Sequence, residues 1–201
     1  LNANEPVRLI FVGRLNDLEK NVLLIPKIVQ ELHSLGIQAT CIIAGDGPDR
    51  LALENRICKY DLKDQFSILG AVPFGDIPIL LHKADVFLMP SRFEGCPHAL
   101  LEAMSTGCVP VVSRLRGPLD RIVDEGISGL MATVGNAKDF AKAIERVSKT
   151  SLDTVQMGKV ASNRVASHFS LSIMAEAYAN IFKKVVDSPA QYPIPRSLDQ
   201  Y

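Results

Sequence analysis

Two carboxylates stand eight positions apart in the segment FEGCPHALLEA, which covers residues 93–103. Glu94 precedes a Gly-Cys-Pro turn, and Glu102 lies in the apolar stretch that follows this turn. Pro97 suits the first position of a helix, because the amide proton that it lacks would have no intrahelical partner there. We therefore predict a helix from Pro97 to about Thr106, with Glu94 in the preceding loop and Glu102 more than one turn inside the helix.

The start of this helix predicts an anion site. Amides near residues 98 to 100 have no partner within the helix, and with the positive end of the helix dipole they attract phosphate. Arg14 and Lys20 follow an earlier apolar run and would add two cations. A carboxylate can accept hydrogen bonds from two neighbouring sugar hydroxyls. A diphosphate between two such carboxylates describes a nucleotide sugar.

Five short apolar runs must position these residues. They are RLIFVG (8–13), ATCIIAG (39–45), FSILG (66–70), DVFLMP (85–90) and VPVVS (109–113). Such runs, rich in Val and Ile and ended by Gly, Pro or Ser, are typical of strands covered on both faces. Helical patterns follow at 21–36, at 136–147 after the capping residue Asn136, and at 170–186. This order predicts an α/β fold with a doubly wound, Rossmann-like parallel sheet flanked by helices, in which ligands bind beyond the carboxyl ends of the strands.

Overall composition points to no particular class of partner. The 201 residues carry 22 basic and 22 acidic side chains, so the net charge gives no indication of a nucleic-acid partner. The four cysteines form no CxxC pair, which favours a reducing compartment. The first residue is Leu1, and we expect the sequence to be cut from a longer protein.

The sequence predicts no metal site. His33, His82 and His168 lie in helical patterns without partner spacing, and no Asp-x-Asp triplet occurs. A bound diphosphate would therefore have to be neutralised by cationic side chains and a helix dipole. The segment GDGPDR (45–50) differs from the glycine-rich fingerprint of dinucleotide-binding proteins, because its last position is Arg50. We interpret it as a turn before a helix, close to the base of the nucleotide.

These segments together resemble the retaining GT-B glycosyltransferases of the "glycosyl transferases group 1" type, whose typical member reads E-G-F-G/P-x-x-x-L-E-A-M. The resemblance includes FEGCPHALLEA, VGRL, IIAGDGP, PSRFEG, LLEAMSTGCVPVVS, DEGISGLMA and HFSLSIMAEAY, and it covers nearly all of residues 8 to 182. It implies one half of a GT-B two-domain architecture, the carboxyl-terminal half that binds the donor. We expect a nucleotide-sugar-binding domain at 1–187, whose helix at 170–187 crosses to the missing amino-terminal half, and an irregular tail at 188–201.

The resemblance also implies roles for individual residues. Arg14 and Lys20 would neutralise the diphosphate, Glu102 would hold the ribose hydroxyls, and Glu94 with the amides that follow it would face the transferred sugar. Arg14, Lys20 and Glu94 would be catalytic. The complete expected binding set is Gly13, Arg14, Lys20, Glu94, Gly95, Cys96, Pro97, His98, Ala99 and Glu102.

Three features depart from the family pattern. Five residues separate Arg14 from Lys20, where the family more often has four, which indicates a one-residue insertion. A glycine pair frequent in a later loop appears here as Arg116-Gly117. Cys96 replaces a common aromatic residue, and His98 occupies a variable position beside the expected sugar.

The implied enzyme transfers a sugar from a nucleoside-diphosphate sugar to an acceptor in polysaccharide or glycolipid synthesis. It needs no cofactor and no metal, and its acceptor contacts belong to the missing half, so this chain alone would bind donor without turnover. The expected location is cytoplasmic, with a peripheral position at the inner face of the membrane left open. The alternatives are an epimerase or a phosphorylase of the same architecture, or a non-catalytic nucleotide-binding module for regulation or assembly.

Overall fold

The sheet has the arrangement that the sequence predicts. The computed structural model of the chain describes residues 5–148 and 151–187. Within these residues, six parallel strands form one sheet in the order β3-β2-β1-β4-β5-β6. The strands are β1 (Val7–Val12), β2 (Ala39–Ala44), β3 (Phe66–Gly70), β4 (Val86–Met89), β5 (Val109–Ser113) and β6 (Leu130–Ala132). This strand order is that of the doubly wound, Rossmann-like fold, so the predicted fold class is confirmed.

Burial on both faces explains why these runs become strands. All four residues of β4 are buried, and alternate residues of a strand point to opposite faces of the sheet. Val86 and Leu88 belong to a core cluster with buried residues of the helices on one face, whereas Phe87 is buried outside that cluster. The five predicted strands are confirmed. The sixth, β6, has three residues and is too short to stand out as an apolar run.

The described residues contain helices between the strands and after the last strand. They are α1 (Asp17–Lys20), α2 (Ile25–Ser34), α3 (Arg50–Lys59), α4 (Ile77–His82), α5 (His98–Ser105), α6 (Pro118–Ile122), α7 (Ala137–Ser148), α8 (Ser151–His168) and α9 (Leu171–Asp187). Short 3₁₀ turns lie at Val22–Leu24, Lys63–Gln65 and Phe74–Asp76. Helices α2 and α7 contact each other, and so do α4 and α5. These pairs form the layers on either side of the sheet.

The helix start at α7 follows the prediction closely. The side-chain oxygen of Asn136 accepts hydrogen bonds from the amides of Lys138 at 3.1 Å and Asp139 at 3.3 Å. Asp139 in turn accepts a hydrogen bond from the amide of Thr133, and its hydrogen bonds with Thr133 lower the pKa of its carboxyl group. Capping by Asn136 therefore fixes where the chain turns from β6 into α7.

The predicted helix at 21–36 is shorter than expected. Asn21 has a left-handed backbone with a φ of 52°, the 3₁₀ turn follows it, and α2 begins only at Ile25. A left-handed residue cannot continue a helix, so Asn21 separates α1 from the segment behind it. The other end agrees with the prediction, because Gly36 has a φ of 76° just beyond α2.

The chain divides into two compact units, Leu1–Ala166 and Ser167–Tyr201. The sheet belongs to the first unit, and α9 belongs to the second. Every residue of α9 is exposed, including Tyr178, Ile181 and Phe182 on its apolar stripe. The expected domain at 1–187 stays a prediction, and the expected irregular tail at 188–201 lies outside the described residues.

Candidate functional site

A crevice of about 370 Å³ opens at the carboxyl ends of β1, β2 and β3. Three of the predicted site residues, Gly13, Arg14 and Glu102, line it. Its apolar wall comes from the segment after β3 and the start of α4, through Val72, Phe74 and Ile77. The crevice therefore combines a cation, a carboxylate and an apolar wall at the edge where ligands bind in this fold.

Two glycines after β2 hold the backbone of Arg14 in place. The amide of Gly13 donates to the carbonyl of Ala44 at 3.0 Å, and the amide of Leu15 donates to Asp46 at 2.9 Å. A Cβ atom on Gly45 would lie 1.8 Å from the carbonyl oxygen of Gly13. A Cβ atom on Gly47 would lie 2.4 Å from the carbonyl oxygen of Leu15. Only glycine allows this approach, so the GDG turn supports the residues on both sides of Arg14.

Arg14 and Glu102 both present unpaired charges to the crevice. Arg14 is exposed, and its guanidinium group has no hydrogen bond or ion pair with any residue that the structure describes. Glu102 is the fifth residue of α5 and is half-buried. Within the same described ranges, its carboxylate oxygens also lack a partner. A cation and a bidentate acceptor are thus available to a ligand in one crevice.

Lys20 and Glu94 contact each other rather than facing the crevice. The ammonium group of Lys20 lies 2.8 Å from one carboxylate oxygen of Glu94 and 2.9 Å from the other. The side chain of Glu94 is only 5% exposed and that of Lys20 is 26% exposed. The hydroxyl group of Ser91, which is fully buried, donates to the Oε1 atom of Glu94 at 2.6 Å. We call these three residues the Lys20 cluster.

Further bonds join the two loops that carry the Lys20 cluster. The amides of Arg92 and Phe93 donate to the carbonyl oxygen of Glu19, at 2.7 and 3.4 Å. The guanidinium group of Arg92 contacts the carbonyl oxygen and the carboxylate of Asp17. Asn21, whose side chain is buried, donates from its amide group to the carbonyl of Pro90 at 3.1 Å. The loop around α1 and the loop after β4 are therefore cross-linked on both sides of Lys20.

The start of α5 differs from the prediction by one residue. Pro97 is the N-cap residue and the helix begins at His98, because the backbone of Pro97, with a ψ of 76°, is not helical. Two of the amides expected to be free are occupied: that of His98 donates to Cys96 at 2.9 Å and that of Leu100 donates to Pro97 at 3.0 Å. In the part of the chain that the structure describes, the amides of Gly95, Cys96 and Ala99 have no acceptor. Of the amides predicted to bind phosphate only that of Ala99 is free, and the free amides of Gly95 and Cys96 belong to those that the resemblance assigns to the sugar.

The remaining departures from the family pattern are all exposed. The sulfur of Cys96 lies 3.5 Å from Nε2 of His98, and both residues face solvent. Arg116 is exposed, and the amide of Gly117 donates to the carboxylate of Asp120 at 3.2 Å. The amide in the Arg116-Gly117 loop is therefore already used inside the protein.

The structure brings the predicted residues together in two groups. Arg14 and Glu102 share the crevice, and Lys20 and Glu94 share the cluster. The sequence reasoning assigned no role to Ser91, Asn21 or Gly47. Ser91 stands three residues before Glu94 in the segment PSRFEG, where a short-range hydroxyl-to-carboxylate bond is a readable signal.

The described residues contain no group of three or more His, Cys, Asp or Glu side chains arranged to hold a metal ion. None of the helices described is both long and apolar enough to span a bilayer.

A family model shows to which protein family the chain belongs. The family model described as "Glycosyl transferases group 1" matches residues 1–164. The chain belongs to the group 1 glycosyltransferases. Among the relatives of this glycosyltransferase chain is the amylovoran biosynthesis glycosyltransferase of Erwinia amylovora, 30% identical over 191 residues. That match covers 90% of the present chain and 46% of the relative, so the chain spans about half the length of the curated relatives it matches.

Solved structures show the same fold. The Anabaena protein HepE, crystallised with UDP and glucose, matches the glycosyltransferase chain with a TM-score of 0.78 at 20% identity, over 90% of this chain and 49% of that one. The isolated carboxyl-terminal domain of a group 1 glycosyltransferase from Francisella tularensis matches with a TM-score of 0.72 at 17% identity. That match covers 82% of this chain and 87% of that domain. The fold is therefore that of GT-B glycosyltransferases.

Proposed function

We propose that this chain is the donor-binding half of a retaining glycosyltransferase that moves a sugar from a nucleoside-diphosphate sugar to an acceptor. The observation that carries the proposal is the crevice in which the unpaired guanidinium group of Arg14 and the unpaired carboxylate of Glu102 lie at the carboxyl edge of the sheet. A diphosphate needs a cation, and a ribose diol needs a bidentate acceptor. Both requirements are met within one site of nucleotide size.

The chemistry assigned to this half is stabilisation of the leaving group. Negative charge grows on the diphosphate as its bond to the sugar breaks, and positioned cations and amides lower the energy of that state. Arg14 and the free amides of Gly95, Cys96 and Ala99 supply such groups. Glu94 lies in the loop between them and would contact the transferred sugar.

The relatives support the class of reaction. The similar Anabaena protein binds UDP and glucose, and the Erwinia relative is named for amylovoran biosynthesis. We therefore propose a nucleotide-sugar donor and a role in polysaccharide or glycolipid synthesis for the whole protein. The acceptor would be held by the half that the relatives possess beyond the matched part, and we expect the chain alone to bind donor without turnover.

Titration calorimetry of the chain with UDP, GDP and ADP tests the proposal. We expect one of these nucleotides to bind, and Arg14→Ala to weaken its binding about tenfold to a hundredfold through the loss of a charged hydrogen bond. Binding of the corresponding nucleoside should hardly change. Arg146→Ala is the matched control, because Arg146 is an exposed arginine in the last turn of α7, away from the carboxyl edge of the sheet.

Two results would contradict the proposal. Failure of all three nucleotides to bind the wild-type chain would remove the nucleotide site. Equal losses for nucleotide and nucleoside in Arg14→Ala would show that Arg14 supports the fold instead of binding phosphate.

A further inference from the structure

The ammonium group of Lys20 is already engaged in the absence of a ligand. It contacts both carboxylate oxygens of Glu94, at 2.8 and 2.9 Å, and the carboxylate is almost fully buried. A buried charge that loses its partner is costly, because water cannot replace the lost interaction. A ligand that draws Lys20 away must therefore compensate Glu94 or bear the cost of leaving it unpaired.

Ser91 fixes which way the carboxylate points. Its buried hydroxyl group donates to the same oxygen, Oε1, that Lys20 contacts at 2.8 Å. The Asn21 bond to Pro90 holds the two backbones together next to this contact. The geometry of the Lys20 cluster is thus set by both loops and not by Lys20 alone.

We propose that Ser91 and Glu94 hold Lys20 in place in the donor-free protein, and that the donor diphosphate takes the ammonium group away from Glu94. This inference rests on the proposed function. In the exchange Glu94 keeps the hydrogen bond from Ser91 and gains free acceptor positions, which the hydroxyl groups of the donor sugar then fill. Binding at the diphosphate position and binding at the sugar position are therefore coupled. A nucleoside diphosphate leaves the carboxylate of Glu94 without Lys20, whereas a nucleotide sugar supplies hydroxyl groups that replace it.

This coupling predicts that removing the charge of Glu94 strengthens nucleotide binding. Glu94→Gln removes the charge that holds Lys20, so we expect UDP to bind about threefold to tenfold more tightly than to the wild-type chain. UDP-glucose should gain less or lose affinity, because the amide is a weaker acceptor than a carboxylate for sugar hydroxyls. Ser91→Ala should have the opposite effect on UDP, with about twofold to threefold weaker binding, because Glu94 then depends on Lys20 alone. If the bound nucleotide is GDP or ADP, the same comparison uses that nucleotide and its glucose conjugate.

A double-mutant cycle separates the pairing from a general charge effect. In the Lys20→Ala background, Glu94→Gln should no longer tighten UDP binding, because the ammonium group it releases is absent. Glu19→Gln is the matched control: Glu19 is exposed, adjacent to Lys20 in sequence, and its carboxylate is outside the Lys20 cluster. A gain that persists without Lys20, or that Glu19→Gln reproduces, would overturn the inference.

A measurement without nucleotide tests the donor-free pairing by itself. Acetic anhydride should label Lys20 several-fold more slowly than the exposed Lys27, and Glu94→Gln should remove most of that difference, as read by peptide mass spectrometry. Circular dichroism establishes whether the variants fold, and Glu94→Asp, whose shorter side chain withdraws the carboxylate from Lys20, replaces Glu94→Gln if the latter does not. Fast labelling of Lys20 in the wild-type chain would overturn the inference. If the wild-type chain binds nucleotide and Arg14→Ala weakens binding, but Glu94→Gln does not tighten it, the proposed function stands and this inference fails.

Discussion

The GDG turn after β2 provides a test of how the fold holds Arg14. Gly47→Ala adds a Cβ atom 2.4 Å from the carbonyl oxygen of Leu15 and 2.8 Å from its carbonyl carbon. Both neighbours are backbone atoms, so no side chain can rotate away. Because non-bonded carbon atoms prefer about 3.5 to 4.0 Å, the two loops must separate by about 1 Å.

The cost follows from the bonds at this contact. The amide of Leu15 donates to Asp46 at 2.9 Å, and the carbonyl of Leu15 accepts from Asp49 at 3.1 Å. Overpacking and the weakening of these bonds should together lower the free energy of unfolding by about 2 to 4 kcal/mol. For a chain of this length that corresponds to a fall in Tm of about 5 to 15 °C. Arg14 precedes Leu15, so UDP should also bind about tenfold more weakly.

Urea unfolding, thermal unfolding and UDP titration measure these effects. Gly75→Ala is the matched control, because a Cβ atom there meets nothing within 4 Å and Gly75 does not have a positive φ. We expect that control to be neutral or slightly stabilising. An unchanged Tm and an unchanged UDP affinity in Gly47→Ala would refute the reasoning that the close approach of the two loops positions Arg14.

Three further outcomes are expected. Glu102→Gln should weaken binding of uridine and UDP by the same factor, about tenfold to a hundredfold, and a loss confined to UDP would show that Glu102 does not contact the ribose. The exposed thiols of Cys58 and Cys96 should react with Ellman's reagent in the native protein, while the two buried cysteines react only after unfolding. Burial raises the pKa of the buried thiols, so at alkaline pH the unfolded chain releases protons that the folded chain keeps. The free energy of unfolding should therefore fall as the pH rises above about 8.5. Amides of α9 (Leu171–Asp187) should exchange with deuterium faster than those of the sheet and become protected when the amino-terminal half is present, and equal protection in both cases would show that α9 does not cross to that half.

The elements of the fold were largely predictable because their signals are local. Apolar runs such as VPVVS are buried throughout as β5, and Asn136 caps α7 as its type suggests. The sixth strand was missed because three residues carry too little pattern to separate a strand from a loop. The predicted start of α5 was one residue early, because Pro97 is compatible both with a first helical position and with the position before it.

The sequence predicted that Arg14 and Glu102 would lie at the carboxyl edge of the sheet, but it did not predict the contact between Lys20 and Glu94. The expectation treated Lys20 as a phosphate ligand and Glu94 as a sugar ligand, each acting separately. Their contact joins positions 74 residues apart in sequence, and it depends on how the loop around α1 meets the loop after β4. Nothing in local spacing encodes such a distance, whereas the bond from Ser91 to the same carboxylate spans three residues and could have been anticipated.

The cross-links between the loop around α1 and the loop after β4 also bear on how new donor specificities can be built by segment exchange. A chimaera that receives only residues 90–97 from a relative would keep Asp17, Glu19 and Asn21 as partners for side chains and carbonyls that the new loop presents differently. The grafted loop would then lose its anchors even if every residue proposed to contact the sugar were correct. Residues 14–21 and 90–97 therefore form one structural unit made of two separate segments of chain. Recombination between relatives should preserve activity only when both segments come from the same parent.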